Sequence, residues 1–306
     1  MGERVVFDRK ELSRRQLKDY IFAIMSLLAL GFGLITLLLL IIDLASTGLG
    51  RIDYAFMTNF PSRMPEKAGI LSAWVGSLCV MFTTALAAIP LGIAAGVYLE
   101  EYAPKNWITA IIELNIVNLA GIPSITFGLM ALSIFVYKFG FGQSILTAGL
   151  TLGLLVLPII IVTTREALRT IPSTIREAAF AMGASRWQVI QHHLLPYSTG
   201  GILTGVIISL SRAIGETAPL ITIGALTFIA FLPTSPFTEE FPFVTIQWIK
   251  DPFTVLPIQM FNWVSRPQEE FHVNAAAAGV ILLTLTLLLN GAAIYIRASF
   301  RRKIKW

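Results

Sequence analysis

The chain has 306 residues, of which 55% are hydrophobic and only 13% are charged, and its net charge is +5 at pH 7. Soluble domains carry about a quarter charged residues, so this composition excludes an ordinary soluble protein and predicts one that spans a membrane. Cys79 is the single cysteine, which excludes an intrachain disulfide. The three histidines show no metal-ligand spacing, so the sequence predicts no metal site.

Six long apolar stretches follow one another along the chain, each exceeding the roughly 20 residues that a helix needs to cross the hydrocarbon core. Five contain no charged residue, and the fifth in chain order contains Arg212 and Glu216. The first is too long for a signal-peptide core and lacks a clear cleavage site, so we expect it to be retained. The sequence therefore predicts an all-α integral membrane protein with six transmembrane helices. Their predicted positions are residues 20–42, 68–99, 114–137, 139–164, 198–229 and 273–296.

The basic residues between these stretches predict the orientation of the chain. Sixteen Lys and Arg residues lie on the side that holds both termini, against six on the opposite side. Because basic residues collect on the cytoplasmic side of membrane proteins, we predict cytoplasmic N- and C-termini. The basic tails favour membrane lipid as a partner and not nucleic acid, because apolar helices flank them and acids such as Asp8 and Glu11 interrupt them.

The pattern divides the chain into three parts. Residues 1–67 hold a basic tail, the first helix and an outside loop, residues 68–297 hold a core of five helices, and residues 298–306 form a second basic tail. The outside segment 231–272 is rich in proline and aromatic residues, which suits either the membrane interface or a docking surface for an outside partner. That segment carries four glutamates: Glu239, Glu240, Glu269 and Glu270.

A cytoplasmic segment at residues 166–196 predicts two short helices at an angle. Pro172 and Ser173 begin the first helix, Gly183 ends it, and Ser185 caps a second helix that runs until Pro196. The small side chains between them permit close approach of another surface. These are Ala178, Ala179 and Ala181.

This segment resembles the EAA loop of ABC importer permeases. The matching positions are Glu177, Ala178, Ala179, Gly183, Leu195 and Pro196, whereas His193 departs from the aliphatic residue usual there. The resemblance implies a type I ABC importer permease fold whose coupling helices seat on an ATPase subunit. The alternative is an ordinary amphipathic loop helix that happens to contain Glu-Ala-Ala.

ATP must then be hydrolysed by a partner. The chain contains no Gly-Lys pair, so a phosphate-cradling P-loop cannot be present. We therefore expect a transport subunit that is not itself an enzyme and binds no cofactor, with ATP and Mg²⁺ held by the partner ATPase.

The fifth apolar stretch carries a charged pair. Counted from Ser198, Arg212 lies roughly 20 Å into the membrane at 1.5 Å per residue, and helical spacing places Gly205, Ser209, Arg212 and Glu216 on one stripe. A charge at that depth is costly, so the stripe is expected to face a cavity or a partner helix. Arg212 either attracts an anion along a pathway, with Glu216 orienting it, or forms with Glu216 an ion pair that locks helix packing.

Two further runs resemble phosphate-importer permeases. The run from Gly215 to Pro219 after an arginine resembles the PstA type, and the run from Ala120 to Ile125, followed by Phe127, Gly128 and Leu129, resembles both the PstA type and the PstC type. Physically, Gly121 and Pro123 break the third helix, so Ser124 and the freed backbone groups either line a cavity or mark a packing kink. The substrate-pathway residues predicted from both arguments are Arg212, Glu216, Ser209 and Ser124.

The resemblance implies a complete import system in a bacterial inner membrane. Its expected partners are a homologous PstC-type permease, two copies of a PstB-type ATPase and an external phosphate-binding protein. Three rivals remain: a permease of this fold for a phosphonate, sulfate or amino acid, an ion-coupled secondary transporter, and a non-transporting phosphate-sensing scaffold.

Overall fold

The computed structural model describes residues 9–237, 243 and 245–303, and no β-strand lies within them. The α-helices are α1 Arg9–Gly48, α2 Tyr54–Thr58, α3 Leu71–Val97, α4 Trp107–Leu119, α5 Ser124–Ala131, α6 Ile145–Arg169, α7 Ser173–Ala181, α8 Arg186–Val189, α9 Leu195–Ile214, α10 Ala218–Thr222, α11 Leu256–Val264 and α12 Glu269–Lys303. Three π-helical turns lengthen or join these helices: Tyr98–Tyr102 continues α3, Leu132–Lys138 continues α5, and Ile190–Leu194 joins α8 to α9.

Within the described ranges, five helical segments are long and apolar enough to cross a membrane, and a bent pair makes a sixth if it counts as one span. The sequence therefore identified the all-helical, multi-pass architecture correctly. The bent pair is Trp107–Leu119 with Ser124–Lys138, at 105° to each other. The five segments are Arg15–Arg51, Leu71–Tyr102, Ile145–Arg169, Arg186–Ile214 and Glu269–Ser299.

Helix α6 is the centre of the bundle. It packs against α3 on one side and α9 on the other, and 67% of its most apolar window is buried. Small residues make these contacts possible: a Cβ on Gly96 of α3 would lie 2.7 Å from the Cβ of Thr164, and one on Gly205 of α9 would overlap Thr163. Lipid offers no hydrophobic drive between helices, so close backbone approach of this kind provides the packing.

Helix α1 lies at the edge of the bundle. No residue in its most apolar 18-residue window is buried by the rest of the described chain. It meets α12 near its C-terminal end, where Gly48 lies against the backbone of Ala276. Arg51 then fastens the following loop, donating from Nε to Asn274 Oδ1 at 3.0 Å and from Nη2 to the Ala68 carbonyl at 3.0 Å. The C-terminal end of α1 is thus fixed to the bundle, while the apolar remainder of the helix lies outside the bundle.

An aromatic cluster closes the end of the bundle opposite the segment 166–196, which we call the coupling loop. Phe56, Trp263 and Phe271 are buried where α2, α11 and the first turns of α12 meet, and the Phe56 and Trp263 ring centroids are 6.0 Å apart. Trp263 is therefore a core residue, which neither reading of the outside segment anticipated. Two of the four glutamates noted in the segment 231–272, Glu239 and Glu240, lie outside the described residues. So do the first eight and the last three residues of the chain, which belong to the basic tails.

The predicted break in the third span is confirmed, because Gly121 and Pro123 separate α4 from α5, whereas the predicted boundaries of the fourth and fifth spans are wrong. The fourth helix begins at Ile145 and not at residue 139, since Gly140 and Gly142 take positive φ angles of 69° and 67° and turn the chain first.

The fifth predicted stretch also differs from the structure at both ends. Helix α9 ends at Ile214, and the chain up to residue 229 holds only the five-residue α10 between turns and other non-helical backbone. At the other end Pro196 does not stop the preceding helix. The π turn Ile190–Leu194 carries α8 directly into α9, where Pro196 sits in the first turn and its missing N–H is tolerated.

Candidate functional site

The coupling loop is built from local signals that the sequence displays. Helix α7 begins after Pro172, and Gly183 ends it with φ of +85°, a conformation that suits glycine. Ser185 caps α8 through a reciprocal pair of bonds: the Gln188 N–H donates to the Ser185 hydroxyl at 3.4 Å, and the Ser185 N–H donates to the Gln188 side chain at 2.8 Å. The predicted helix start, glycine stop and serine cap are all confirmed.

One face of this loop is apolar and uncovered. Met182 is 88% exposed, Trp187 57% and Phe180 46%, while Glu177 and Ala178 beside them are also exposed. Large exposed apolar side chains grouped along one short segment suit a protein–protein contact. The sequence analysis missed Phe180, Met182 and Trp187. Helical spacing would place Met182 on the inward stripe of Ile175 and Ala179, and it is exposed because α7 ends at Ala181.

The remaining predicted loop residues lie on the other face or beyond it. Ala179 is half-buried against the inner ends of α3 and α6, and Gly183 forms the turn between α7 and α8. Leu195 and Pro196 are half-buried in the first turn of α9. The structure therefore separates the exposed Glu177 and Ala178 from Leu195 and Pro196, which position the helix that follows.

Arg212 and Glu216 lie together at the end of α9. Arg212 Nε and Glu216 Oε1 are 3.4 Å apart, and the two side chains are 43% and 17% exposed in the single chain. The sequence analysis placed Glu216 one turn beyond Arg212 on the same helix. Because α9 ends at Ile214, Glu216 instead lies in the break before α10. The unpaired carbonyls of a helix C-terminus favour a cation, which suits Arg212 in the last turn.

Ser209 and Gly205 face elsewhere. Ser209 is fully buried and its hydroxyl donates to the Gly205 carbonyl at 2.8 Å. Gly205 is pressed against Thr163 of α6. The predicted stripe thus divides into a turn buried against α6 and a second pair, Arg212 with Glu216, of which Arg212 is the more exposed in the single chain.

The broken span is held against the segment that follows the charged pair. Ser124 is half-buried at the start of α5, directly after the break at Gly121 and Pro123. One turn along, a Cβ on Gly128 would overlap Thr222 and lie 2.7 Å from Pro219 Cα. Helix α5 therefore packs tightly on α10, which begins two residues after Glu216.

A membrane bundle with a broken span, an exposed coupling loop and a charged pair at a helix end defines a class of transport subunit. The chain belongs to the family described as binding-protein-dependent transport system inner membrane components, which matches residues 88–302. It is accordingly a multi-pass membrane permease subunit.

Two relatives and one solved structure illustrate the likeness. The phosphate transport system permease protein PstA of Yersinia pestis is 32% identical over 96% of this chain and 94% of its own length. The probable ABC transporter permease protein YqgI of Bacillus subtilis is 31% identical over 84% and 87%. A chain of a bacterial ABC transporter involved in the import of alginate superposes with a TM-score of 0.64 at 16% identity, covering 96% of this chain and 100% of its own. The chain thus has the type I ABC importer permease fold.

Proposed function

We propose that this chain is the permease subunit of an ATP-driven importer of inorganic phosphate in a bacterial inner membrane, with both termini cytoplasmic. The assignment of phosphate as the substrate rests on the position of Arg212. Its guanidinium is held at the end of a membrane helix, exposed in the single chain and only loosely paired with Glu216. A planar guanidinium donates two parallel hydrogen bonds to one oxyanion, which suits phosphate. Relatives named as phosphate permeases support the same substrate.

Glu216 gives the site a means of release. An arginine buried alone would bind an oxyanion strongly, whereas a neighbouring carboxylate competes for the same guanidinium and repels the anion. A transport pathway needs binding that is favourable enough to admit the solute and weak enough to discharge it. The predicted contributions of Ser124 and Ser209 differ: Ser124 lies at the break in the span, and Ser209 supports α9 from within.

The partners follow from the exposed surfaces. The apolar face of Phe180, Met182 and Trp187 suits the cleft of an ATPase subunit, of which two copies serve this chain and a homologous permease. ATP and Mg²⁺ bind that ATPase, and this chain holds no cofactor. An external phosphate-binding protein delivers the solute to the outer mouth. Closure of the two ATPase subunits then moves the coupling loops and exposes the Arg212 site to the other side.

The test is labelled-phosphate uptake by cells that lack this subunit, complemented with the native chain. We expect ATP-dependent uptake to return, with no loss when sulfate, methylphosphonate or amino acids are added in excess. Competition by one of those solutes would reassign the substrate within the same fold. If the ATPase co-purifies and no solute moves, the chain is a non-transporting scaffold, and if uptake returns without the ATPase, it is an ion-coupled carrier.

A further inference from the structure

A cluster of charged side chains lies where α3, α4 and α6 meet the coupling loop. We refer to it as the glutamate–arginine cluster. It contains carboxylates from the π-helical end of α3 and from α4, and guanidinium groups from α6 and α7, which come from four separate stretches of sequence. Its members are Glu100, Glu101, Glu113, Arg165, Arg169 and Arg176.

Arg165 ties α6 to two other helices. Its Nη2 is 2.6 Å from Glu113 Oε1 on α4, and its Nε is 3.4 Å from Glu100 Oε2 on α3. Arg169, one turn further along α6, holds the same Glu100 at 2.9 Å. The Arg165 side chain is only 8% exposed, so its charge depends on these two carboxylates for compensation.

Arg176 ties the coupling loop to the same helices. Its Nη2 lies 2.7 Å from Glu101 Oε1 on the end of α3. The same guanidinium donates to the Leu168 carbonyl at 3.0 Å and, through Nη1, to the Ile171 carbonyl at 2.9 Å. One side chain therefore joins α7, the end of α6 and the end of α3, and any displacement of α7 is passed to α3 through Glu101.

Helix α4 has few other attachments to the bundle. Thr109 is its one buried residue in the described structure, and most of its side chains face outward. The ion pair of Arg165 with Glu113 is thus a principal polar link between α4 and α6. Helix α4 leads through the break at Gly121 into α5, which packs on α10 beside Glu216. A continuous physical path therefore runs from the coupling loop to the charged pair.

We propose that the glutamate–arginine cluster transmits movement of the coupling loop to the broken span, with Glu101 and Glu113 as its positioning residues. This inference rests on the proposed function, in which α7 docks on an ATPase. Glu101 passes the movement of α7 to α3, and Glu113 passes the movement of α6 to α4. Neither residue touches the solute, so both act through Arg176 and Arg165.

Glutamine variants sever one link at a time. Glu101→Gln removes the charge that holds Arg176 to α3, while the bonds from Arg176 to Leu168 and Ile171 keep α7 attached to α6. Glu113→Gln releases α4, while Glu100 continues to compensate Arg165. Glu269→Gln, at an exposed carboxylate at the other end of the bundle, is the matched control.

The assay uses the complex purified through this chain and reconstituted in vesicles, and it measures phosphate transported per ATP hydrolysed. A spin label at Ile112→Cys in a Cys79→Ser background reports movement of the exposed face of α4 when ATP is added. We expect both glutamine variants to retain the ATPase and its hydrolysis rate and to lose the label movement. Transport per ATP should fall by about 5-fold or more, the lower end of typical coupling between sites. Glu101→Asp and Glu113→Asp, which keep the charge, should recover part of both signals.

Native transport per ATP and native label movement in the glutamine variants would overturn the inference. So would a reduced amount of complex in which each remaining complex transports normally, since that result describes a purely structural cluster. If a glutamine variant does not assemble, its aspartate counterpart, which shortens the same link, should show a partial loss of both signals, and native signals in it would overturn the inference. If the native complex moves the label with ATP and takes up no phosphate, the proposed substrate is wrong, and the label movement alone decides the inference.

Discussion

The substitution Arg212→Gln separates a role in transport from a role in packing. Glutamine keeps a hydrogen-bonding side chain and removes the charge and the planar fork that recognises phosphate. In the structure Arg212 is 43% exposed and its contact with Glu216 is a single 3.4 Å approach. In the water-filled pathway proposed above, an ion pair with this accessibility contributes roughly 0–1 kcal/mol to stability. The substitution should therefore leave the fold almost unchanged.

Its effect on transport should be much larger. A charge-assisted hydrogen bond contributes about 1.5–3 kcal/mol, and each 1.4 kcal/mol corresponds to a factor of about ten. If Arg212 binds the oxyanion in the pathway, Arg212→Gln should lower phosphate uptake by about 10- to 100-fold. The expected losses of stability and of transport thus differ enough for one pair of measurements to distinguish them.

The assay is initial-rate phosphate uptake at matched membrane levels, together with the unfolding temperature of the purified chain in detergent. Arg63→Gln, at an exposed arginine of the outside loop, is the control and should leave both measurements unchanged. Native uptake with Arg212→Gln would refute the pathway role, and a large fall in unfolding temperature with proportionate loss of uptake would show that the pair locks packing.

Three further predictions follow from the geometry. Met182→Asp places a charge on the exposed apolar face of the coupling loop and should abolish co-purification of the ATPase with little change in unfolding temperature, because Met182 packs on little in the chain. Gly183→Val forces a β-branched residue to φ of +85° and should destabilise the loop by about 1–2 kcal/mol, measured as faster protease cleavage between α7 and α8. Gly128→Ala introduces a Cβ 2.7 Å from Pro219 Cα and should cost about 1–3 kcal/mol of stability, measured by denaturation in detergent.

Each of these has a matched comparison. Ser173→Asp adds an equal charge at the start of α7, where it meets the positive end of the helix, and should retain the ATPase. Gly200→Ala replaces a glycine with open space around it, so it should be nearly neutral beside Gly128→Ala. Full co-purification with Met182→Asp, unchanged protease cleavage with Gly183→Val, or equal stability of the two alanine variants would contradict the respective arguments.

The sequence alone predicted the features that depend on local chemistry. Uncharged stretches longer than the bilayer core indicated the membrane helices, because lipid cannot hydrate a charge or an open backbone. Pro172, Gly183 and Ser185 marked the coupling-loop helices, since each acts on its own turn of backbone. The break in the third span was likewise visible in Gly121 and Pro123. The position of Arg212 within an apolar stretch was sufficient to single it out.

Only the tertiary structure decided how these parts meet. That Ser209 turns into the bundle while Arg212 stays exposed depends on where α6 packs, and helical spacing alone cannot show it. Glu101 and Arg176 are 75 positions apart, so no local pattern connects them. In the sequence, the members of the glutamate–arginine cluster are charged residues that merely flank apolar stretches. They form a linked cluster because the ends of α3, α4 and α6 converge beside the coupling loop. Local propensity sets the elements, and long-range packing sets which side chains can act together.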